Sequence, residues 1–302
     1  MERTQLILFM KAAELQHFTK AAEALNVSQP YLSNSISELE SELGVRLFDR
    51  VGRGIRLNKY GQTLYKYAAQ LICVEKDMLN ELHEMQDEER TNLSVATNAS
   101  IYMPWLCRYT IDAIPEISMH LFLSPQDVLY KSLDRGEIDF AILGPEVRSG
   151  YNSEMLIADS GIVAWPDGHW LENYDEIEFE AILDEVFIGI RTGYAMREYL
   201  DKYLPEEQHR IKSFFETFDT NSALQFVKTG VGIAMAPAST IILDPYFMNH
   251  YTRVTDVPCG TVYLVWRKDQ YIDSISQCFI KTTKAFFKKL DDKTKQLMSL
   301  AE

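Results

Sequence analysis

Residues 17–64 read HFTKAAEALNVSQPYLSNSISELESELGVRLFDRVGRGIRLNKYGQTL, and this stretch begins with two short helical patterns. The first pattern follows Thr19, a favoured N-cap residue, and has the small residues Ala21 and Ala22 on one face. Asn26 then tolerates the left-handed backbone conformation that a sharp turn requires. Because small alanines let two helices approach closely, the pattern predicts a helix-turn-helix.

The second helical pattern begins after Ser28, which can cap it, and it has Pro30 in its first turn and ends at Gly44. Its apolar stripe lies opposite a face of short polar and aromatic groups, which suit base edges and phosphates in a major groove. The same face could instead be merely solvated, as on many amphipathic helices. The candidate DNA contacts from both helices are Thr19, Ser28, Gln29, Pro30, Tyr31, Ser33 and Asn34.

A basic hairpin pattern follows this helix and favours DNA binding over a solvated face. Two short strands are predicted, Arg46–Phe48 and Ile55–Leu57, with turn residues around Gly52 and Gly54. Arginines flank the tip, so a wing beside the recognition helix would clamp the DNA backbone. The candidate phosphate contacts in the wing are Arg50, Arg53 and Arg56. We therefore expect residues 1–58 to form a winged helix-turn-helix DNA-binding domain that is mainly α-helical.

The distribution of charge agrees with this assignment, although the net charge of −14 would disfavour DNA binding if it were spread evenly. Residues 1–58 contain as many basic as acidic residues. The whole excess of acid therefore lies in the later residues, and the N-terminal module is neutral with a basic tip.

The stretch from His17 to Leu64 resembles the LysR-type family of transcriptional regulators, through the core pattern AA..L.VSQP.LS..I..LE.ELG..LF.R..R...L...G. The chain departs from the usual pattern at Tyr31, where a small alanine is common, and at Asn34 and Ser35, where larger polar or basic groups are common. The resemblance implies sequence-specific binding to double-stranded DNA, and these departures predict an unusual base preference.

A strongly helix-forming stretch runs from Lys59 to about Glu89, so we expect a linker helix over residues 59–90. Apolar residues recur in it at heptad spacing, as in a coiled-coil seam. The seam could instead pack on its own domain, but the helix follows a complete small domain. The resemblance implies a homodimer through this helix and a homotetramer through the C-terminal domains. The candidate dimerisation residues are Leu64, Leu71, Met78, Leu82 and Met85.

From Asn92 onward, strand patterns alternate with helix patterns, which predicts a parallel sheet and an α/β domain with two similar lobes. The segments LDRGEIDFAIL from Leu133 and TNSALQFVKTGVGIAMAP from Thr220 match the ligand-binding half of the same family. The resemblance implies an effector-binding regulatory domain over residues 91–302, with a two-lobed fold like that of periplasmic binding proteins. It assigns residues 91–161 and 266–302 to lobe one and residues 162–265 to lobe two.

Candidate effector contacts follow from the polar residues at the ends of the predicted strands. In open parallel sheets, ligands bind beyond the carboxyl ends of the strands and at helix N-termini. Each such residue could instead be an ordinary helix cap, so only their convergence at a cleft would favour binding. The candidates are Thr97, Asn98, Ser100, Ser124, Gln126, Gly144, Arg191, Thr192, Thr217 and Thr220.

The chemistry of the effector is predicted from Arg191, whose planar guanidinium can pair with a carboxylate in two hydrogen bonds. Backbone amides at the start of the helix after Ser100 would add partial positive charge. The effector is therefore expected to be a carboxylate or another small anion. Arg191 could instead form a surface ion pair with one of the nearby acidic residues.

The cysteines and histidines are scattered along the chain, so neither a disulfide framework nor a metal site is predicted. No signal peptide or membrane-spanning stretch is recognisable, and a cytoplasmic location without a membrane partner is expected.

Two other classes are considered for this chain, a cytoplasmic two-lobed α/β enzyme and a small-molecule binding protein without DNA function. The sequence has no Walker motif, no nucleophile elbow and no complete dinucleotide fingerprint. We therefore expect neither catalytic residues nor a cofactor. The wing arginines argue against the second alternative.

Overall fold

The computed structural model describes residues 1–52, 54–86, 91–203 and 213–300. The chain forms two compact units, a smaller one that includes Met1–Leu79 and a larger one that begins at Asn80. Within the described ranges, no helix combines the length and the apolar character needed to cross a membrane.

The smaller unit is built from helices and a β-hairpin. In chain order its elements are α1 (Arg3–Leu15), α2 (Phe18–Ala24), α3 (Gln29–Leu43), β1 (Phe48–Val51), β2 (Gly54–Leu57) and α4 (Lys59–Met85). Between α2 and α3, Asn26 has a φ of 53°, so it makes the left-handed turn predicted from the sequence. At the end of α3, Gly44 has a φ of 69° and closes the helix. The predicted helix-turn-helix is confirmed.

The core of the smaller unit joins these elements through fully buried side chains. Phe9 of α1, Leu39 of α3, Leu47 before β1 and Ala68 of α4 belong to one cluster. Burying a large apolar side chain stabilises the fold by about 1.5–3 kcal/mol. Leu43 is 40% exposed because it is the last residue of α3.

The linker helix α4 begins where the sequence predicts. The side-chain oxygen of Asn58 accepts hydrogen bonds from the amides of Tyr60 and Gly61, at 2.9 and 3.0 Å, and so caps the helix. The helix ends at Met85, and the predicted residues 87–90 lie outside the described ranges.

The larger unit contains a five-stranded sheet in its first lobe. Its strands are β3 (Asn92–Thr97), β4 (Ser118–Leu123), β5 (Phe140–Leu143), β6 (Tyr151–Asp159) and a late strand, β13 (Gly260–Arg267). The helices of this lobe are α5 (Met103–Ala113), α6 (Gln126–Asp134) and α10 (Ser274–Leu300). The order is β4-β3-β5-β13-β6, in which β4, β3 and β5 are parallel and β13 is antiparallel to both of its neighbours. The predicted parallel sheet is therefore corrected to a mixed sheet.

The second lobe contains two smaller sheets. Its strands are β7 (Gly161–Ala164), β8 (Glu176–Ile177), β9 (Phe187–Ile190), β10 (Ser213–Thr217), β11 (Ala234–Pro237) and β12 (Tyr251–Val254). Its helices are α7 (Ala195–Tyr203), α8 (Thr220–Lys228) and α9 (Thr240–Leu243). Strands β9 and β10 pair in parallel, and the other sheet has the order β11-β7-β12-β8.

Two crossovers join the lobes. The first passes through Ser160, between β6 and β7, close to the predicted boundary after residue 161. The second lies between β12 and β13, since β13 pairs along its length with β6 of the first lobe. Residues 260–265, which the resemblance assigns to lobe two, therefore belong to the sheet of lobe one.

Candidate functional site

The recognition face of α3 is the first candidate site. The Ser28 hydroxyl accepts a hydrogen bond from the Tyr31 amide at 3.3 Å and caps the helix, as predicted. The face presents exposed Gln29, Pro30, Tyr31 and Asn34, together with half-buried Ser33. Tyr31 is 51% exposed, which leaves a large aromatic ring at the surface of the smaller unit.

Thr19 has a different role from the predicted one. It lies inside α2, whose N-cap is His17, and that cap has no side-chain hydrogen bond. The Thr19 side chain is exposed, so it is available to a partner rather than committed to capping.

The wing is the second part of this surface. Strand β1 begins at Phe48, two residues later than predicted, and pairs antiparallel with β2. Arg50 on β1 and Arg56 on β2 are both exposed, whereas Arg53 lies outside the described residues. The wing therefore presents basic side chains from both strands.

Glu40 of α3 fixes the base of the wing, a role that the sequence pattern does not reveal. Its carboxylate accepts a hydrogen bond from the Leu47 amide at 2.7 Å and pairs with the Arg46 guanidinium at 2.8 Å. Glu40 is only 8% exposed. The exposed Arg46 is therefore held by an acid, and Arg50 and Arg56 are the freer wing cations.

The seam predicted on α4 divides into two groups. Leu64 packs against the core of the smaller unit. The other predicted members, Leu71, Met78, Leu82 and Met85, are between 45% and 72% exposed. On the opposite side of the helix, Ala69 and Cys73 are buried. The exposed apolar group thus begins after Leu64 and includes Tyr67 and Val74 at the intervening positions.

A cavity with a volume of about 50 Å³ lies between the lobes of the larger unit. Its lining is mostly apolar and comes from the segment before α5, the N-terminal part of α7 and both crossovers. The main apolar contributors are Ile101, Tyr102, Pro145, Met196, Tyr199 and Val262. Among the predicted effector contacts, Gly144 and Thr220 belong to this lining.

Thr97 and Asn98 are used by the fold itself. The Thr97 hydroxyl donates to the Ile142 carbonyl at 2.7 Å and accepts from the Ala99 amide at 2.8 Å. The Asn98 amide group donates to the carbonyls of Gly144 and Gly193, at 3.1 and 3.4 Å. Both side chains are 3% exposed. Neither is free to meet a ligand.

Ser100, Thr217 and Thr220 surround the start of α8. Asp219 caps this helix by accepting from the Ser222 amide at 3.1 Å, and the same oxygen accepts from the Ser100 hydroxyl at 3.2 Å. The Thr217 hydroxyl donates to the Asp219 carbonyl at 3.0 Å. Ser100 and Thr217 therefore fix the cap of α8, and Thr220 is the member of this group that reaches the cavity.

A larger depression, with a volume of about 520 Å³, adjoins the cavity at Pro145. Gln126 and Thr192 line it, and the Gln126 side-chain amide donates to the Glu146 carbonyl at 3.0 Å. Its cations are paired with acids, Arg148 with Asp127 and Lys202 with Glu146. Ser124 lies just ahead of this group and is bonded through its backbone to Thr97.

Arg191 does not occupy the predicted position. It is exposed and belongs to the lining of neither the cavity nor the larger depression. Its guanidinium carbon lies 4.9 Å from the centroid of the Phe218 ring, a cation–π contact. Among the described residues Arg191 forms no ion pair and lines neither of these pockets, so it no longer supports the expectation of an anionic effector.

Asp159 is a polar group of the cavity that is absent from the residues predicted from the sequence. It is the last residue of β6, is 5% exposed and lines the cavity. Burial raises the pKa of its carboxyl to about 6. The sequence offers one signal, an acid directly before the crossover, but its burial depends on packing between distant segments.

Two tyrosines complete the walls of the cavity. Burial raises the pKa of Tyr102, and also that of Tyr199, above the usual value for a phenol. The Tyr199 hydroxyl donates to the Pro258 carbonyl. Its ring, and the neighbouring Met196, remain part of the lining.

Comparison with protein families assigns both units. Residues 4–62 match the model "Bacterial regulatory helix-turn-helix protein, lysR family", and residues 86–288 match "LysR substrate binding domain". Among curated relatives, the uncharacterised HTH-type transcriptional regulator YybE of Bacillus subtilis is 29% identical over 92% of this chain and 97% of its own length. The HTH-type transcriptional regulator SoxR of an Arthrobacter strain is 26% identical over 94% of this chain and 97% of its own.

Solved structures share the fold of the whole chain. Full-length OxyR from Pseudomonas aeruginosa superimposes with a TM-score of 0.67 at 22% identity, covering 95% of both chains. CbnR in complex with its target DNA gives a TM-score of 0.60 at 20% identity, covering 95% of this chain and all of that one. These relatives are regulators rather than enzymes, and the family models span most of the sequence. The chain belongs to the LysR-type family of DNA-binding, effector-modulated transcriptional regulators.

Proposed function

We propose that this regulator reads operator DNA with the exposed face of α3 and grips the phosphate backbone with its wing. The observation that carries the proposal is the exposed series Gln29, Tyr31 and Asn34 beside a hairpin that exposes Arg50 and Arg56. Thr19, Ser28, Pro30 and Ser33 would make supporting contacts, and Arg53 is included from the sequence alone. The protein would act in the cytoplasm, where its DNA is.

We expect Arg56→Ala to weaken binding to all DNA sequences, because an arginine on a phosphate contributes counterion release rather than base recognition. The slope of log affinity against log salt should fall by about 0.9 for each phosphate that the variant no longer neutralises. Gln29→Ala is the matched contrast, since removal of a hydrogen bond to a base edge should reduce discrimination by about 1–3 kcal/mol at one position in each half-site.

Both variants can be tested after footprinting has located an operator upstream of the protein's own gene. Affinities for the operator and for a scrambled duplex are then measured over a series of salt concentrations. If Arg56→Ala affected only the operator, or Gln29→Ala affected both duplexes equally, the division of roles would be wrong.

The functional dimer is proposed to form through the exposed apolar group on α4. A tetramer would need a second contact between larger units, and the edge strand β4 offers one. Leu121, Phe122 and Leu123 of this strand are all at least 38% exposed, as are Trp105 and Ile111 of the adjacent α5. Exposed apolar edge strands pair readily with another chain. A second copy is the occupant we propose for this edge.

The effector is proposed to bind in the cavity between the lobes, with Gly144 and Thr220 in contact. The other sequence-predicted residues, Thr97, Asn98, Ser100, Ser124, Gln126, Thr192 and Thr217, would support the cavity rather than touch the ligand. The mostly apolar lining with few polar groups is typical of small-molecule sites. A ligand that contacts both lobes would favour one arrangement of the lobes over others. Effector binding could alter DNA binding in this way.

Met196→Trp should fill the cavity and abolish effector binding. The control is Met248→Trp, because Met248 is 49% exposed and lies outside the cavity lining. Compounds that raise the melting temperature of the wild-type protein in a metabolite screen should lose this effect with Met196→Trp and keep it with Met248→Trp. Retention of the same hits by Met196→Trp would move the effector site elsewhere.

A further inference from the structure

Asp159 is a buried carboxylate held by neutral donors. Its two oxygens accept from the Ser239 amide at 3.2 and 3.1 Å, and one also accepts from the Tyr102 hydroxyl at 3.4 Å. Ser239 belongs to the second lobe and Tyr102 to the first. The carboxylate is therefore fixed at the hinge, where both lobes meet the cavity.

The cavity offers this carboxylate no positive partner. In the described part of the chain, its lining contains no lysine, arginine or histidine. A buried charge without a partner is costly, and here the cost appears as the raised pKa of Asp159, about 6. At neutral pH the carboxyl is still mostly ionised, so the lining holds a negative charge that is hydrogen-bonded but has no cationic partner among the lining residues.

The N-termini of α7 and α8 do not reverse this field. Helix α7 begins beside the cavity, but Glu198 in its first turn accepts from the Gly193 amide at 2.7 Å. The Ala195 amide donates to the Asn98 carbonyl at 3.0 Å. Helix α8 is capped by Asp219. The starts of α7 and α8 are therefore already matched by acids or carbonyls, and the Ser239 amide at the start of α9 donates to Asp159 itself.

The lining of the cavity suits a ligand that carries a positive charge on an apolar group. The rings of Tyr102 and Tyr199 line the cavity together with Ile101 and Met196. Aromatic faces attract cations in addition to packing against hydrocarbon.

We propose that the cavity selects a small organic cation, such as a primary amine with an aliphatic or aromatic body, whose ammonium group pairs with the carboxylate of Asp159. This inference rests on the proposed function, because it names the chemical class of the effector at that same site. It also agrees with the acidic composition of the regulatory domain, which attracts cations at long range.

Binding of such a ligand should depend on pH. The ammonium needs the ionised carboxyl, so affinity should be full above the pKa of about 6 and fall about tenfold at pH 5. The other titratable groups near Asp159 are Tyr102, Tyr199 and Asp291, which pairs with Lys295 at 2.6 Å. Because the pKa values of Tyr102 and Tyr199 are raised, both phenols stay neutral over this pH range. Substitution of Asp159 distinguishes the pH effect of Asp159 from that of Asp291.

The experiment uses the full-length protein and probes that share one carbon skeleton but differ in charge. The probes are 2-phenylethylamine, 2-phenylethanol and phenylacetate, with butylamine, butanol and butyrate as a smaller set. Dissociation constants are measured by ligand-observed NMR at pH 7.5 and pH 5. At pH 7.5 each amine should bind at least tenfold more tightly than its alcohol, and the carboxylates should bind least. The advantage of the amine should shrink about tenfold at pH 5.

Asp159→Asn is the decisive variant, because asparagine has nearly the same shape and keeps an oxygen for the Ser239 amide. It should bring amine and alcohol to similar affinities and remove the pH dependence. Equal binding of the three probes, tightest binding of a carboxylate, an amine preference that survives Asp159→Asn, or no amine binding would overturn the inference. The pH profile of the unaltered protein gives a second measurement if the variant folds poorly.

Met196→Trp separates this inference from the proposed function. If alcohols or carboxylates bind to the wild type and Met196→Trp blocks them, the cavity is the effector site but the ligand class is wrong. If Met196→Trp changes neither probe binding nor the hits of the metabolite screen, the cavity is not the effector site and both ideas fail.

Discussion

Replacing Leu71 and Met78 of α4 by aspartate should convert the regulator into monomers that no longer bind a two-half-site operator. The two side chains lie seven residues apart, and each is 50% exposed in the single chain. The folded monomer therefore has room for the charges. A paired seam does not, since burial of an unpartnered carboxylate costs several kcal/mol.

Sedimentation velocity measures this effect directly, and the operator affinity gives a functional readout. The control is Thr63→Asp combined with Gln70→Asp, which adds the same charge at the same spacing. Both control positions are exposed and lie at the edge of the apolar group, next to Tyr67 and Val74 rather than in the line of Leu71 and Met78. The control should keep the mass of the assembly. If the seam variant kept it too, α4 would not form the interface, and the exposed β4 edge would become the leading candidate.

Local features of the smaller unit were predictable because neighbouring residues determine them. Ser28 caps α3, Asn58 caps α4, and Asn26 makes the turn, each through contacts within a few residues in sequence. The seam was less predictable. Heptad spacing alone grouped Leu64 with the exposed residues, although packing within its own unit buries much of that side chain.

The cavity could be predicted only in part, because distant segments determine it. The rule that ligands bind at strand ends pointed to two residues of the cavity lining, Gly144 and Thr220. It could not show that the side chains of Thr97 and Asn98 donate hydrogen bonds to backbone carbonyls, which leaves them unavailable to a ligand. The Asp159 carboxylate is fixed by Ser239, 80 residues later, and no local pattern reveals such a partner.

The antiparallel strand β13 was missed for a related reason. A pattern of alternating strands and helices predicts parallel neighbours, but it says nothing of a strand that returns from the other lobe. Strand β13 inserts between β5 and β6 and carries the second crossover back into the first sheet. This insertion places the Thr261 carbonyl against Gly144. The fold therefore requires a residue without a side chain at position 144, whether or not a ligand contacts it.

Gly144→Ala should destabilise the larger unit, because a Cβ atom at this position would lie 2.4 Å from the Thr261 carbonyl oxygen. That oxygen cannot easily retreat. Thr261 sits in β13 opposite Ala158 of β6, and its hydroxyl donates to the Pro145 carbonyl at 2.9 Å. Gly144 is equally fixed, since its amide donates to the Asn98 side chain at 3.2 Å. Forcing a methyl group into such a space costs about 1–3 kcal/mol or more.

The matched control is Gly161→Ala, which adds a methyl group to the same cavity lining. There the nearest atoms are the Met235 methyl group at 3.3 Å and the Tyr199 hydroxyl at 3.4 Å, both at the ends of side chains that can shift slightly. Amide hydrogen exchange in the full-length protein should show faster opening of β5 and β13 with Gly144→Ala and little change with Gly161→Ala. Equal effects would mean that the lining as a whole tolerates no added volume, and the close approach of β13 to Gly144 would not be the cause.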